Sequence, residues 1–267
     1  MNTKSLLFLI LTTISSLTVF AQDFEVSPVA LSFKLEPGEI GSKTLRITNH
    51  SSKPYDFQLE LSDENYEGDK VIKNLLPGST ENSLADWLSV SPNYFKLNPN
   101  ETQKIDVSLS VPSDNYETRW STIYVKVATE RSAFEADKQL GAGLLVSPRI
   151  KVSVIQSPES NTNYAAKIMS FIEGKPDKNG VRTFDVEINN IGGKVISPKL
   201  YLLSANLDNG TEKKSEPVGS SLMPSQKSTI NLKLPEGLKK GKYALAVVMD
   251  YGHGSDLEIA QLMIEIE

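Results

Sequence analysis

Two short stretches hold the side chains that could do chemistry. Asp250-Tyr-Gly-His253-Gly-Ser255-Asp256 gathers a histidine, a serine and two carboxylates, and Asp63-Glu-Asn65-Tyr-Glu67-Gly68 opens like a calcium loop. A nucleophilic triad needs members that converge in space with hydrogen-bond geometry, and neighbours in one glycine-rich turn rarely do so. The first stretch is also no Gly-x-Ser-x-Gly elbow. It reads as a hairpin loop after the strand from Tyr243 to Met249. The calcium pattern fails at its twelfth position, where Asn74 stands in place of a bidentate Glu, and no helices flank it; it reads as an acidic surface hairpin. No phosphate loop or dinucleotide fingerprint is present. The 267 residues include no Cys and two His, which excludes disulfides, thiolate zinc, iron–sulfur clusters and a cysteine nucleophile. The sequence predicts no catalytic residue, no metal and no cofactor: a protein that is not an enzyme.

The balance of 28 basic and 33 acidic residues gives a net charge of −5, which argues against a general partner role with nucleic acid or anionic membrane. Hydrophobic residues at 39% and charged residues at 23% are an ordinary globular mixture. Residues 1–21 read as a signal peptide: Lys4 ahead of an apolar core, then Val19-Phe20-Ala21 before Gln22. The mature chain then has no membrane span, and a cysteine-free exported protein fits the periplasm or cell surface of a bacterium.

From Gln22 onward the dominant signal is alternation with period two, which places every second side chain on one face of a strand. Tyr55, Phe57, Leu59 and Leu61 alternate with polar residues, as do Ile105, Val107 and Leu109, then Phe184, Val186 and Ile188, then Ile230, Leu232 and Leu234. Turn signals such as Pro37-Gly38, Pro77-Gly78, Asn179-Gly180 and Asn209-Gly210 separate them. The fold class is all-β, and the turn spacing is that of sandwiches. Ser83 to Leu88 is expected to form at most one helical turn. A weak repeat links two halves: Leu97-Asn-Pro99 precedes the strand at Ile105, and Leu222-Met-Pro224 precedes the strand at Ile230, each six residues after its proline. The polar run 157–163 reads as a linker between a domain at 22–156 and a second at 164–267, each near the size of one immunoglobulin-like sandwich.

The first domain resembles the N-terminal immunoglobulin-like domain of periplasmic pilus chaperones, the PapD-like fold. The resemblance is carried by Phe24-Glu-Val-Ser-Pro28 leading to Leu31-Ser-Phe33, by Leu45-Arg-Ile47-Thr-Asn49, by Leu97-x-Pro99, and by Asn115-Tyr-Glu-Thr-Arg-Trp120 leading to Ile123-Tyr-Val125. Leu238-Lys-Lys-Gly241-Lys-Tyr243 resembles the corner at which a tyrosine enters a core strand of such a sandwich. The two-domain layout is also similar to WxL-interacting cell-surface proteins.

The resemblance implies a mechanism, in which the last strand of the first domain is lent to an incomplete client by β-augmentation. The candidate donor is the row Leu140, Ala142, Leu144 and Val146, continuing through Ile150, Val152 and Val154, with Pro148 as a break between the halves. It also implies two basic residues that anchor a client carboxylate in the interdomain cleft. Lys151 fits one position; Ala30 stands at the other, so half of the anchor is missing, and a lone ammonium lacks the bidentate fit of arginine. Lys151 also reads as a solvated strand residue. Trp120 reads as core, whereas Trp87 and Tyr94, if they face solvent, would form an aromatic platform for a partner or sugar. Two functions remain: a chaperone-like or scaffolding binder of a protein client or surface-appendage subunit, and a structural cell-surface component that contacts surface proteins or cell-wall glycan.

Overall fold

The structure, a computed structural model, describes residues 23–68, 70–128, 148–254 and 257–267. The leader at 1–21, the donor row Leu140, Ala142, Leu144 and Val146, and the loop residues Ser255 and Asp256 lie outside the described residues. What is described is all-β, with one 3-10 turn at Ala85–Trp87 where a single turn is expected.

Ten strands build the first sandwich: β1 (Phe24–Ser27), β2 (Ala30–Phe33), β3 (Ile40–Asn49), β4 (Tyr55–Glu67), β5 (Lys70–Leu75), β6 (Leu88–Ser91), β7 (Tyr94–Leu97), β8 (Thr102–Ser110), β9 (Arg119–Val127) and β10 (Arg149–Gln156). One sheet runs β1-β3-β8-β6 and the other β2-β10-β9-β4-β5, with β7 also on β4. At two of its changes of sheet, from β1 to β2 and from β6 to β7, only two residues intervene, and both crossings can be read in the side-chain pattern. Phe24 and Val26 are buried from even positions, then Leu31 and Phe33 from odd ones. Leu88 is buried from an even position and Leu97 from an odd one. A strand that changes sheets must turn its other face inward, so its buried parity flips. Pro28 and Pro92 stand at the two crossings, where the missing N–H interrupts the ladder.

The second sandwich contains β11 (Ala166–Glu173), β12 (Thr183–Asn190), β13 (Lys199–Asn206), β14 (Glu212–Lys214), β15 (Val218–Gly219), β16 (Lys227–Lys233), β17 (Gly241–Asp250) and β18 (Glu258–Ile266). Its sheets run β11-β12-β16 and β14-β13-β17-β18, with β15 on β13. The core of each sandwich is its own. Tyr243 is 3% exposed, and its hydroxyl donates to the Lys239 carbonyl at 2.9 Å and accepts from the Lys239 N–H at 3.1 Å. The tyrosine corner is therefore present.

The weak sequence repeat is an atomic one. Asn49 ends β3 and Asn190 ends β12, both fully buried. The Asn49 amide donates to the Lys53 carbonyl at 2.8 Å and the Leu97 carbonyl at 3.1 Å. The Asn190 amide donates to the Lys194 carbonyl at 2.8 Å and the Leu222 carbonyl at 3.1 Å. Each side-chain oxygen accepts a backbone N–H two residues on, from Ser51 and from Gly192, at 3.0 Å. The Asn100 and Ser225 N–H groups close the motif on the Asn49 and Asn190 carbonyls, and both residues sit at positive φ, 62° and 65°. Each Leu-x-Pro turn is thus pinned to the strand that its own strand will pair with.

Replacing Asn190 with Ala strips partners from two carbonyls and one N–H, and a buried polar group without a partner costs about 1–3 kcal/mol. Asn190→Ala is expected to lower stability by about 3 kcal/mol in urea unfolding. Asn190→Asp, which cannot donate to the carbonyls, should not restore it; wild-type stability in the Asp variant would show that the clamp holds nothing.

Candidate functional site

Strand β10 is bonded unequally on its two sides. Along all eight residues it pairs antiparallel with β9, from Arg149 opposite Lys126 to Gln156 opposite Arg119. On its other side β2 pairs in parallel with Ser153 to Gln156 alone. The Ser153 and Ser157 N–H groups donate to the Val29 and Phe33 carbonyls, so odd-numbered residues direct their backbone toward β2. By strand alternation Arg149 and Lys151 direct theirs the same way, where no described strand meets them. Gln156 closes the far end: its side chain accepts from the Leu35 N–H at 3.1 Å and donates to the Leu35 carbonyl at 2.5 Å. The half-covered end is the end that continues into residues 140–147.

Val152 and Val154 are fully buried, and Ile150 packs against the same core. The opposite face carries Arg149 and Lys151. The Arg149 guanidinium lies 4.1 Å from the centre of the Tyr124 ring and donates to Asn74 at 2.8 Å. Lys151 places its ammonium 2.5 Å from Glu64, whose side chain is 3% exposed. The other oxygen of Glu64, Oε1, is buried and has no hydrogen-bond partner among the described residues. Glu64 also raises the pKa of Tyr66, after the larger effect of burial. Lys151 is therefore held by the protein's own carboxylate, and an incoming carboxylate would have to compete with Glu64. Ala30 lies on β2 opposite Ser153, two residues along β10 from Lys151. Sequence reasoning missed Glu64, which looked like one acid of a surface hairpin; its partner lies 87 residues away.

The junction between the sandwiches is bonded rather than loose. Thr118 Oγ1 and the Asn161 amide both donate to the Gly193 carbonyl, at 2.6 and 3.1 Å. Glu36 accepts from the Ser160 N–H at 3.0 Å and from its hydroxyl, and these bonds draw the Glu36 carboxyl below its ordinary pKa. Lys194, 8% exposed, donates to the Pro158 carbonyl at 2.6 Å. Burial, then neighbouring Lys34, pulls its ammonium below the usual lysine range against the opposing pull of Glu159 and Glu36. A Cβ on Gly192 would stand 2.5 Å from the Ala165 nitrogen and 2.6 Å from the Asn163 oxygen. The polar run read as a linker thus packs into both partners. The cleft beside it, about 540 Å³, is lined by polar groups such as Tyr116, Glu117, Asn161 and Ser225; Lys151 is not among its lining residues.

The remaining candidates are placed as follows. Trp87 is half-buried against the first core, with the Arg119 guanidinium 4.6 Å from its ring; Tyr94, on β7, is 52% exposed. Among the described residues no ring contact joins the two. Trp120 is buried, and its indole N–H donates to the Glu64 carbonyl at 3.0 Å. Asp63 is fully buried and accepts from the Ser83 and Ser121 hydroxyls at 2.9 Å and the Ser79 N–H at 3.1 Å, which fastens the loop after β5 to the sheet. His253 stacks 3.6 Å from Tyr164, nearly parallel. Among the described residues no group of three or more His, Asp or Glu is placed to hold a metal, and no helix is long and apolar enough to cross a membrane.

No protein-family model matches the chain, and no curated protein matches it by sequence. Solved structures do. The chain is similar to a structure described as a chaperone–tip adhesin complex vital for synergistic activation of CFA/I fimbriae biogenesis, with TM-score 0.51 and 10% identity over 91% of this chain and 98% of that one. A class 5 fimbriae chaperone, CfaA, gives TM-score 0.48 and 12% identity over 91% and 99%. At 10% identity the first likeness concerns the fold alone, two immunoglobulin-like sandwiches in tandem.

Removing one partner of a buried ion pair costs about 3–5 kcal/mol, because the other charge is left uncompensated, whereas replacing both with apolar groups is often neutral. Lys151 is partly exposed, so the lower end applies. Lys151→Met is expected to destabilise the chain by about 3 kcal/mol, and the double variant with Glu64→Met to recover most of the loss in thermal and urea melts. Equal stability of Lys151→Met and wild type would mean that the pair carries no structural load.

Proposed function

We propose that this chain is an exported, non-enzymatic protein of the bacterial envelope that binds other proteins, chaperone-like, by adding strand to an incomplete β-sheet client. The observation that carries the reading is the half-covered β10. Arg149 and Lys151 present unpaired backbone among the described residues at the end from which the alternating row Leu140, Ala142, Leu144 and Val146 extends. A sheet margin of this kind is a template for another strand unless it is covered. Backbone hydrogen bonds would supply affinity, and alternate side chains would supply choice of client. The fold shared with a chaperone–tip adhesin complex supports the same reading.

In this reading the client is a protein or surface-appendage subunit, and its carboxylate terminus is not held by a pair of cations. Lys151 could serve only by exchanging Glu64 for the client. Tyr94 is the more exposed member of the aromatic pair and would contribute at the rim.

The test is co-purification of the mature chain from its own envelope extract. Wild type is expected to retain a β-rich subunit, and the double variant Leu144→Asp, Val146→Asp to lose it with an unchanged melting temperature. Retention by the double variant would overturn strand addition.

A further inference from the structure

The cleft at the junction is lined in part by side chains that the junction itself does not use. Its volume of about 540 Å³ falls within the roughly 300–1,000 Å³ of small-ligand sites. The frame is committed to holding the sandwiches together. The Gly193 carbonyl accepts from Thr118 Oγ1 and the Asn161 amide, and the Gly193 N–H donates to the Asn163 carbonyl at 2.9 Å. Asn161 Oδ1 accepts from the Asn163 N–H at 3.1 Å, and the Ser225 N–H donates to the Asn190 carbonyl at 3.0 Å. On this frame stand the side chains of Asn82, Tyr116, Thr162, Asn163 and Ser225. Among the described residues none of the five makes a side-chain hydrogen bond. Asn82 is half-buried, and Tyr116 is 57% exposed. A fixed backbone thus carries idle polar groups, which can be filled without the cost of ordering the loops.

The chemistry of the lining selects a ligand. Two amides, two hydroxyls and a phenol offer donors and acceptors together. An apolar ligand would strip water from them and return no hydrogen bond, at about 1–3 kcal/mol for each group left without a partner. The lining contains no Lys, Arg or His, and its one carboxylate, Glu117, is bonded to Arg119 at 3.1 Å. An anion therefore finds no counter-charge there, and a cation finds one already paired. An extended peptide needs a strand margin for its backbone and pockets for alternate side chains. The walls at 116–118, 160–163, 192–193 and 224–225 lie outside the strands and offer no such margin. The ligand that fits is neutral, bears hydroxyl or amide groups around its edge, and has a C–H face that can lie on an aromatic ring. A neutral sugar has all three properties.

We propose that the junction cleft binds a neutral pyranose unit of an oligosaccharide, through the Asn82 and Asn163 amides and with Tyr116 as its stacking partner. The site is independent of strand addition. It lies at the sealed end of β10, where Gln156 faces Arg119, and Arg149 at the other end is seven residues away, roughly 24 Å along the strand.

The experiment titrates the full mature chain, isotope-labelled on its backbone amides, with triacetylchitotriose, cellotriose and maltotriose in turn. Glycerol at matched hydroxyl concentration is the control. At least one trisaccharide is expected to give saturable shifts confined to residues 82, 116–118, 160–163, 192–193 and 224–225. Tyr116→Ala is expected to weaken that binding at least tenfold. Asn163→Ala, which removes a side chain without a hydrogen-bond partner among the described residues, is expected to do the same at an unchanged melting temperature. No saturable shift with any of the three sugars, equal shifts with glycerol, shifts centred elsewhere, or undiminished binding by either folded variant would overturn the proposal.

Discussion

A buried asparagine amide organises each half of this molecule. Asn49 and Asn190 each spend both N–H groups and the side-chain oxygen on backbone outside their own strand. Such a group is tolerated in a core only when fully satisfied, and once satisfied it admits a single local geometry. In the second sandwich that geometry is the loop 191–194. Gly193 and Lys194 on the loop make the bonds to Thr118, Asn161 and Pro158 that set one sandwich against the other. The clamp therefore acts at two scales: it fixes a Leu-x-Pro turn inside its own domain, and it presents the surface that meets the neighbouring domain.

In the proposed function, strand β10 links this junction to binding. Its last residues are sealed by β2 and by the Gln156 side chain, close to the junction, while among the described residues no strand pairs with its first residues on that side. On the proposed reading, a strand anchored at one end lends backbone at the other without unravelling its own sandwich. Glu64 adds a constraint. Its pairing with Lys151 sets a buried carboxylate of β4 against the outer face of β10, but leaves one oxygen without a partner among the described residues. This is the pattern of a group held by its surroundings rather than one arranged to receive a ligand.

Much of the architecture was legible because strands announce themselves. The alternation at Ile105, Val107 and Leu109 reports a half-buried strand directly, and the parity flip from Val26 to Leu31 marks a change of sheet. The tyrosine corner was readable for the same reason: its partner, Lys239, is four residues away. The interactions that were not legible are long-range. Glu64 meets Lys151 across 87 positions, and Asn49 meets Leu97 across 48. The Leu-x-Pro repeat was visible, whereas the asparagine that gives it a purpose was an ordinary polar residue at the end of a strand.

Gly192 bears on how such a protein can be taken apart and rebuilt. Backbone atoms of Asn163 and Ala165 occupy the place where any side chain at 192 would begin, so even a methyl group cannot be added without moving the chain that joins the sandwiches. The two halves are consequently a poor substrate for shuffling. A first domain transplanted onto a foreign second domain would bring its polar connector but not the cavity that receives it, and the mutual angle would be lost. A chimaera cut at residue 163 would part Asn163 from Gly192, and one cut at 157 would part Thr118 and Glu36 from Gly193 and Ser160.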